Sequence, residues 1–142
     1  MSIVDLRAGL RNYILSNSAI AAMVSDRVFP VKVKDGVRDD CIVYFRSTEL
    51  ETYNFIAPSG LVTARMQIDS WSQSADRSFR LADLVKEHLG GFSGNMSYGG
   101  SSPNDFVTVQ GIFILSGFED FDQESKLYRT SRDYGIVYED RQ

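Results

Sequence analysis

Cysteine and histidine are almost absent from this chain of 142 residues, which contains only Cys41 and His88. A single cysteine excludes an intrachain disulfide and a zinc site built from several cysteines. A single histidine excludes any mechanism that takes two imidazoles from one chain. Continuous apolar runs of about 20 residues are also lacking, so the sequence predicts no membrane-spanning helix.

The chain has fewer basic than acidic residues. There are 15 lysines and arginines against 19 aspartates and glutamates, which gives a formal net charge of −4. Tight binding to nucleic-acid phosphates needs clustered basic residues, so this balance argues against it. Asp5 and Arg7 stand where a secretory signal would carry its apolar stretch, and we therefore expect a soluble protein made in a cytoplasm.

What is present is the composition of one globular domain. Apolar residues make up 43% of the chain and charged residues 24%, values typical of a protein with a real hydrophobic core. No internal repeat and no linker divides the chain. The sequence therefore predicts a single domain over residues 1–142.

Hydrophobic spacing predicts the order helix, short helix, strand, strand, helix, strand, strand. Apolar residues recur at helical spacing in 3–14, 19–24 and 75–89. β-branched and aromatic residues mark 41–48 as a strand, apolar residues on both sides mark 106–118, and alternation marks 61–71 and 127–138. Helices and strands are segregated, which favours an α+β fold. We expect an antiparallel-rich sheet of about four strands, with the two main helices packed on one face.

Two segments are harder to assign. Residues 28–31 form a short extended piece, and Pro30 predicts that it lies at a sheet edge or outside the sheet. Residues 92–105 are rich in glycine and serine, and the sequence predicts that they form an irregular loop. The strand 106–118 is apolar on both sides, which predicts a central strand or one covered by a partner.

The sequence has few features that are typical of enzymes. The chain has no glycine-rich phosphate-binding motif and no G-x-S-x-G motif. His88 stands two residues before a Gly-Gly helix stop, where interaction with free helix carbonyls is favoured over a role as base or metal ligand. Cys41 opens a strand, and a small buried apolar side chain is favoured over a nucleophile.

An acidic turn follows the strand 106–118. Asp120, Asp122 and Glu124 occupy positions one, three and five of a loop like that of an EF-hand, but Ser125 replaces the glycine at position six and Ser131 the glutamate at position twelve. A solvated turn is therefore favoured over a metal site. We predict no metal and no cofactor.

The sequence resembles the tail-completion, or tail-to-head joining, proteins of long-tailed bacteriophages and prophages. The resemblance is carried by segments spread over most of the chain: 19–30 (AIAAMVSDRVFP), 41–44 (CIVY), 58–71 (PSGLVTARMQIDSW), 75–89 followed by Gly-Gly-Phe, 109–112 (VQGI) and 126–134 (KLYRTSRDY). The sequence departs from the family in its long 92–105 loop and at Arg132, where an apolar residue would suit a buried face.

This resemblance implies a virion structural protein without catalytic activity. Members of the family form rings, typically hexamers, that cap the tail tube and join it to the head connector while DNA passes through without specific binding. The expected location is the virion tail or neck, after assembly in the cytoplasm of the bacterial host.

A ring needs two different adhesive surfaces on each subunit. Exposed apolar groups in polar loops and the strand that is apolar on both sides are the candidates for the subunit or partner interface, namely Phe55, Ile56, Tyr98, Ile112 and Ile114. A negatively charged lumen would repel DNA phosphates, and the residues predicted to line it are Glu119, Asp120, Asp122 and Glu124.

Two alternatives stay open. One is a head-completion or stopper protein of the same machine, acting as an adaptor in the neck. The other is a small cytoplasmic ligand-binding domain or enzyme, which would use Cys41, His88 or the acidic turn.

Overall fold

The computed structural model describes residues 5–53, 58–97 and 105–139, with side chains for 5–46, 61–97 and 105–139. These residues form three helices and six strands in the order α1 (Leu6–Leu15), α2 (Ser18–Val24), β1 (Val28–Pro30), β2 (Cys41–Tyr53), β3 (Pro58–Ser72), α3 (Ala75–Leu89), β4 (Gly94–Ser97), β5 (Phe106–Asp122) and β6 (Leu127–Glu139).

All six strands belong to one curled, mixed sheet in the order β1-β2-β3-β6-β5-β4. The prediction of about four strands with two main helices is therefore wrong. Two short strands account for the difference. β1 pairs parallel to β2 at the edge of the sheet, which agrees with the prediction that the extended piece 28–31 lies at a sheet edge or outside the sheet, and β4 pairs antiparallel to β5. Each has only three or four residues, too few to show a period of two in the sequence. β4 also lies inside the segment 92–105 that was predicted to be an irregular loop.

Side-chain caps fix the helix starts. Asp5 accepts a hydrogen bond from the Ala8 N–H, Asn17 from those of Ala19 and Ile20, and Ser74 from that of Arg77. Such caps satisfy amide groups that have no partner inside the helix. The predicted Gly-Gly stop is confirmed, since α3 ends at Leu89 and Gly91 has a positive φ of 76°.

The core lies between the helices and one face of the sheet. The alternation predicted for residues 61–71 is confirmed, because Val62, Ala64, Met66 and Ile68 of β3 are all buried. Tyr134, Ile136 and Tyr138 lie opposite them on β6. The helices complete this cluster with Leu6, Leu10, Ile14, Ile20, Val24, Leu81, Val85 and Leu89. None of the described helices is long and apolar enough to cross a membrane.

Two irregularities in β5 change which side chains face the core. The pairing with β6 shifts between Val109 and Gly111 and again between Ile114 and Ser116. Such bulges place an extra residue in one strand and reset its alternation. Ile112 is therefore buried with Val107 and Val109, although the alternation of the sequence predicts that it lies on the opposite face from them.

Candidate assembly surface on the outer part of β5

The outer part of β5 exposes large apolar side chains. The described part of the chain has seven exposed large hydrophobic residues, and four of them lie on β5 between positions 113 and 118. Their exposed fractions are 46% for Phe113, 38% for Ile114, 45% for Leu115 and 50% for Phe118. Scattered exposed apolar residues are ordinary, whereas a cluster marks an interaction site.

This exposure arises because β5 is much longer than the strand beside it. β4 pairs only with residues 106–109 of β5, and the Gly91 N–H then donates to the Ile112 carbonyl at 3.1 Å. Beyond Ile112, no described backbone group forms a hydrogen bond with the edge of β5 that faces away from β6. β6 pairs with the opposite edge of β5 as far as Asp122. Residues 113–121 are called the free edge of β5 below.

Glycines on β6 and β5 shape this surface. The Phe113 ring lies against Gly135, where an added Cβ would meet the ring at 2.5 Å. An added Cβ at Gly117 would instead meet the backbone oxygen of Ser131 at 2.8 Å. Phe113 thus lies in contact with the backbone of β6, and Gly117 allows close approach of the two strands where no side chain fits.

Arg129 connects β6 to the acidic end of β5. Its Nε donates to Asp120 Oδ1 at 2.9 Å, and its Nη1 lies 3.5 Å from Oδ2 of the buried Asp69. The guanidinium also lies 5.2 Å from the centre of the Trp71 ring and 5.0 Å from that of Phe118. The hydrogen bonding that Arg129 donates to the Asp120 carboxylate is the main reason that the pKa of Arg129 is raised above its usual value. This network holds Phe118 in place at the end of the apolar cluster.

The acidic turn is partly neutralised and partly exposed. Asp120 pairs with Arg129, and Asp122 accepts the Ser125 N–H at 3.0 Å. Hydrogen bonds from Ser125 lower the pKa of Asp122. Glu119 and Glu124 are exposed. No group of three or more metal-binding side chains occurs among the described residues.

A groove of about 540 Å³ lies on the face of the sheet away from the helices, between the loop 31–37 and the turn after β5. Its lining includes Val43, Asp69, Trp71 and Arg129. Trp71 Nε1 is buried at this place without a hydrogen-bond partner in the described structure. Both charge signs line the groove, which gives it no clear preference for one class of ligand.

Arg132, the position that departs from the resembled family, lies on the helix side of β6. Its Nη2 lies 2.9 Å from Asp83 Oδ1, and its guanidinium lies 5.6 Å from the centre of the Phe79 ring. Both partners belong to α3, so Arg132 joins the helix to the sheet. Phe79 is itself 45% exposed on the outer surface of α3.

Cys41 and His88 both serve the packing of the chain. Cys41 is fully buried, and burial raises the pKa of its thiol to about 12, which keeps it protonated and unreactive near neutral pH. His88 Nε2 lies 2.7 Å from the Tyr13 carbonyl, and the two rings stack with their centres 4.1 Å apart. The carbonyl belongs to the last turn of α1, so His88 caps that helix.

A polar cluster around Asp40 anchors the start of α3. Asp40 accepts from Ser72 Oγ at 2.7 Å and from Arg77 Nε at 2.8 Å, and its backbone carbonyl accepts from Arg27 Nε at 2.9 Å. The Asp40 carboxylate and carbonyl are thus held by side chains from three other parts of the chain, which indicates a structural role. The sequence carried no pattern that would reveal it.

Of the five predicted interface residues, only Ile112 and Ile114 lie in the described part of the chain. Phe55, Ile56 and Tyr98 lie outside the described residues. Ile112 is 4% exposed and belongs to the core, while Ile114 lies in the apolar cluster of β5. Phe113, Leu115 and Phe118 were not among the predicted interface residues, although the uninterrupted apolar run 112–115 was a signal for Phe113 and Leu115.

Comparison with known proteins gives a fold but no family. No family model matches the sequence, and no curated protein does. Among solved structures, a chain described as "Virion of native gene transfer agent (GTA) particle" matches with a TM-score of 0.70 over 94% of both chains, at 14% identity. The two chains therefore share a fold over nearly their whole length.

Proposed function

We propose that this protein is a virion structural protein, a ring-forming tail-completion or tail-terminator subunit that caps the tail tube and joins it to the head connector. The observation that carries the proposal is the apolar cluster of Phe113, Ile114, Leu115 and Phe118 on a fold shared with a chain of a gene transfer agent virion. A protein that assembles needs such a surface, and an isolated globular domain does not.

The resemblance of the sequence to tail-completion proteins supports the same role independently of the fold. It covers segments from residue 19 to residue 134, and it implies a hexameric ring between tail tube and neck. The fold match extends over 94% of the chain, so the segments that carry the resemblance belong to a domain architecture that a phage-like particle also uses.

The acidic end of β5 fits a ring through which DNA passes. Glu119 and Glu124 are exposed, and the chain has a net charge of −4. Carboxylates on the inner wall would repel phosphates and let a duplex slide. In this proposal Glu119, Asp120, Asp122 and Glu124 face the lumen.

Deletion of the gene from the phage or prophage that encodes it tests the role. We expect full heads beside unjoined or overlong tails in electron micrographs, and rescue by the wild-type gene in trans. Native mass spectrometry of the purified protein should show a ring, with six copies as the expected number. Leaking heads with normal tails would contradict tail completion and indicate a stopper in the neck.

The proposal also assigns no catalysis to the chain. Cys41→Ala and His88→Gln remove the two side chains that most often act as nucleophile and base. Provided that circular dichroism shows a folded protein, we expect both variants to rescue particle formation. Loss of rescue by a folded variant would instead favour an enzyme.

A further inference from the structure

The free edge of β5 carries few of the features that keep strand edges from pairing. Natural sheets commonly protect an open edge with proline, lysine or a bulge. Residues 113–118 contain no proline and no charged residue, and residues 113–120 are all exposed. A bulge lies between Ile114 and Ser116, and residues 116–122 beyond it pair with β6 without a further shift. An edge of this kind is a template for another strand.

The place for an added strand lies in line with β4. β4 pairs antiparallel with residues 106–109 of β5, and the Gly91 N–H reaches the Ile112 carbonyl. The row of backbone partners among the described residues ends there, although β5 continues to Asp122. A strand that follows the line and direction of β4 would pair antiparallel with β5, which is the slightly more stable arrangement per residue.

The side chains along this edge change from apolar to acidic. The apolar cluster occupies positions 113–118, and Glu119 and Asp120 follow directly. Arg129 donates to Asp120, whereas Glu119 is exposed and no ion pair of the described structure holds its carboxylate. A strand that binds here therefore needs apolar side chains beside positions 113–118 and basic side chains beside positions 119 and 120.

The described strands of a second copy do not have this pattern. Pairing of β5 with itself would set its acidic end against the apolar end if antiparallel, and carboxylates against carboxylates if parallel. β1 and β4 contain no basic residue, and β2 contains one arginine together with two glutamates. Lys32 and Lys34 lie beyond Val31, whose positive φ of 71° turns the chain out of the strand. The pattern therefore favours a different protein as the partner.

We propose that the free edge of β5 binds an extended segment of a second virion protein, which adds a strand to the sheet antiparallel to β5. Read from its amino end, this segment is basic where it meets Glu119 and Asp120 and apolar where it covers positions 113–118. The inference rests on the proposed function, because it takes the partner from the same particle. Asp122 and Glu124 lie past the paired stretch and remain for the lumen wall proposed above.

A synthetic peptide of this pattern tests the proposal on the purified protein. The probe is capped at both ends and has the length of the free edge. Lysine alternates with threonine in its first half, and valine alternates with threonine in its second half. A copy with glutamate in place of lysine is the matched control.

We expect the glutamate peptide to bind at least about threefold more weakly at low salt, in the range of one or two exposed ion pairs. This difference should shrink at high salt, because exposed charges are screened. Equal binding of the two peptides at low salt would overturn the proposal, as would the absence of binding of the lysine peptide at about 1 mM.

Substitution of an apolar edge residue locates the binding surface. Leu115→Lys places a charge in the apolar cluster, and Phe79→Lys is the matched control because Phe79 is equally exposed, at 45%, but lies on α3. We expect Leu115→Lys to raise the Kd of the lysine peptide by at least about tenfold and Phe79→Lys to change it by less than about twofold. Equal effects of two variants that circular dichroism shows to be folded would overturn the proposal.

Charge reversal tests the acidic half of the edge. Glu119→Lys and Glu87→Lys change the net charge equally, and both glutamates are exposed, but Glu87 lies on α3. We expect only Glu119→Lys to weaken binding of the lysine peptide, by about two- to fivefold at low salt. The same loss in both variants would show that the overall charge attracts the peptide, and would overturn the proposal.

Amide hydrogen exchange identifies the backbone groups that the peptide covers. The lysine peptide should protect amides within residues 113–121. Protection confined to the loop 31–37 would place the peptide in the groove at that loop and overturn the proposal. Protection of 113–121 on concentrating the protein without peptide would show that a second copy covers the edge, and would also overturn it.

Rescue of the gene deletion separates this inference from the proposed function. We expect Leu115→Lys to give no joined particles, whereas Phe79→Lys should give them. Joined particles from both folded variants would overturn the docking edge and leave the tail-completion role intact. Joined particles of normal form in the absence of the gene would remove that role itself.

Discussion

The two halves of β5 have the same kind of sequence and opposite surroundings. Val107, Val109 and Ile112 of the inner half are buried. Their strand is paired on both sides at residues 106–109, and the Ile112 carbonyl accepts one further bond from the Gly91 N–H. Phe113, Leu115 and Phe118 of the outer half are about half exposed, on a backbone paired on one side. Apolar sequence in the inner half serves the fold, whereas in the outer half it is available for assembly.

Truncation of one isoleucine in each half gives the largest expected contrast. Ile112 is 4% exposed and Ile114 38%. We expect Ile112→Ala to lower the free energy of unfolding by about 2–4 kcal/mol, because it leaves a cavity in the core. Ile114→Ala should cost less than about 1 kcal/mol in the isolated protein.

Urea unfolding of dilute protein, followed by circular dichroism, measures both values. In the proposed assembly the two substitutions should have the reverse order of effect, with Ile114→Ala weakening the contact between proteins. A loss of stability for Ile114→Ala as large as that for Ile112→Ala would mean that the outer half is part of the folding core.

Two glycines sharpen the comparison within the outer half. We expect Gly117→Ala to cost about 1–3 kcal/mol, because its Cβ would lie 2.8 Å from the backbone oxygen of Ser131 and strands must separate to admit it. Gly135→Ala should cost less, because its Cβ meets the Phe113 ring, which can turn outward into solvent. Thermal unfolding of the two variants checks the order, and equal melting temperatures would contradict it.

The smallest effect concerns the acidic end and depends on pH. The pKa of Asp122 is lowered in the folded protein, chiefly by the hydrogen bond from Ser125. Its charge therefore stabilises the fold above about pH 4, the ordinary range of an aspartate, and this stabilisation is lost as the pH falls through the lowered pKa.

We expect Asp122→Asn to be slightly less stable than the wild type at pH 7 and equal to it near pH 2. Unfolding curves recorded across this range measure the difference. Glu124→Gln is the control, because no hydrogen bond of the described structure holds its exposed carboxylate. A difference between Asp122→Asn and the wild type that grows as the pH falls would contradict the assignment.

The long elements could be predicted from the sequence, and the short ones could not. The alternation in residues 61–71 is a local signal, and the structure confirms it. β1 and β4 exist because longer strands offer them an edge, which is a property of the tertiary structure. The sheet consequently has six strands rather than four.

The site was harder to predict than the fold. The bulge at Val109–Gly111 moves Ile112 into the core, and a bulge leaves no mark in the alternation of apolar residues. The exposure of Phe113 and Phe118 follows from the shortness of β4, which is four residues long. The acidic turn was recognised from its residues, but the pairing of Asp120 with Arg129 depends on the hairpin register.

The isolation of Cys41 has a practical consequence. Its thiol has no solvent exposure and a pKa of about 12, so maleimides and oxidants near neutral pH have almost no thiolate to attack. A cysteine introduced anywhere on the surface would be the sole target for a spin label, a fluorophore or a crosslinker. The chain is therefore already a clean background for mapping distances between the subunits of the proposed assembly.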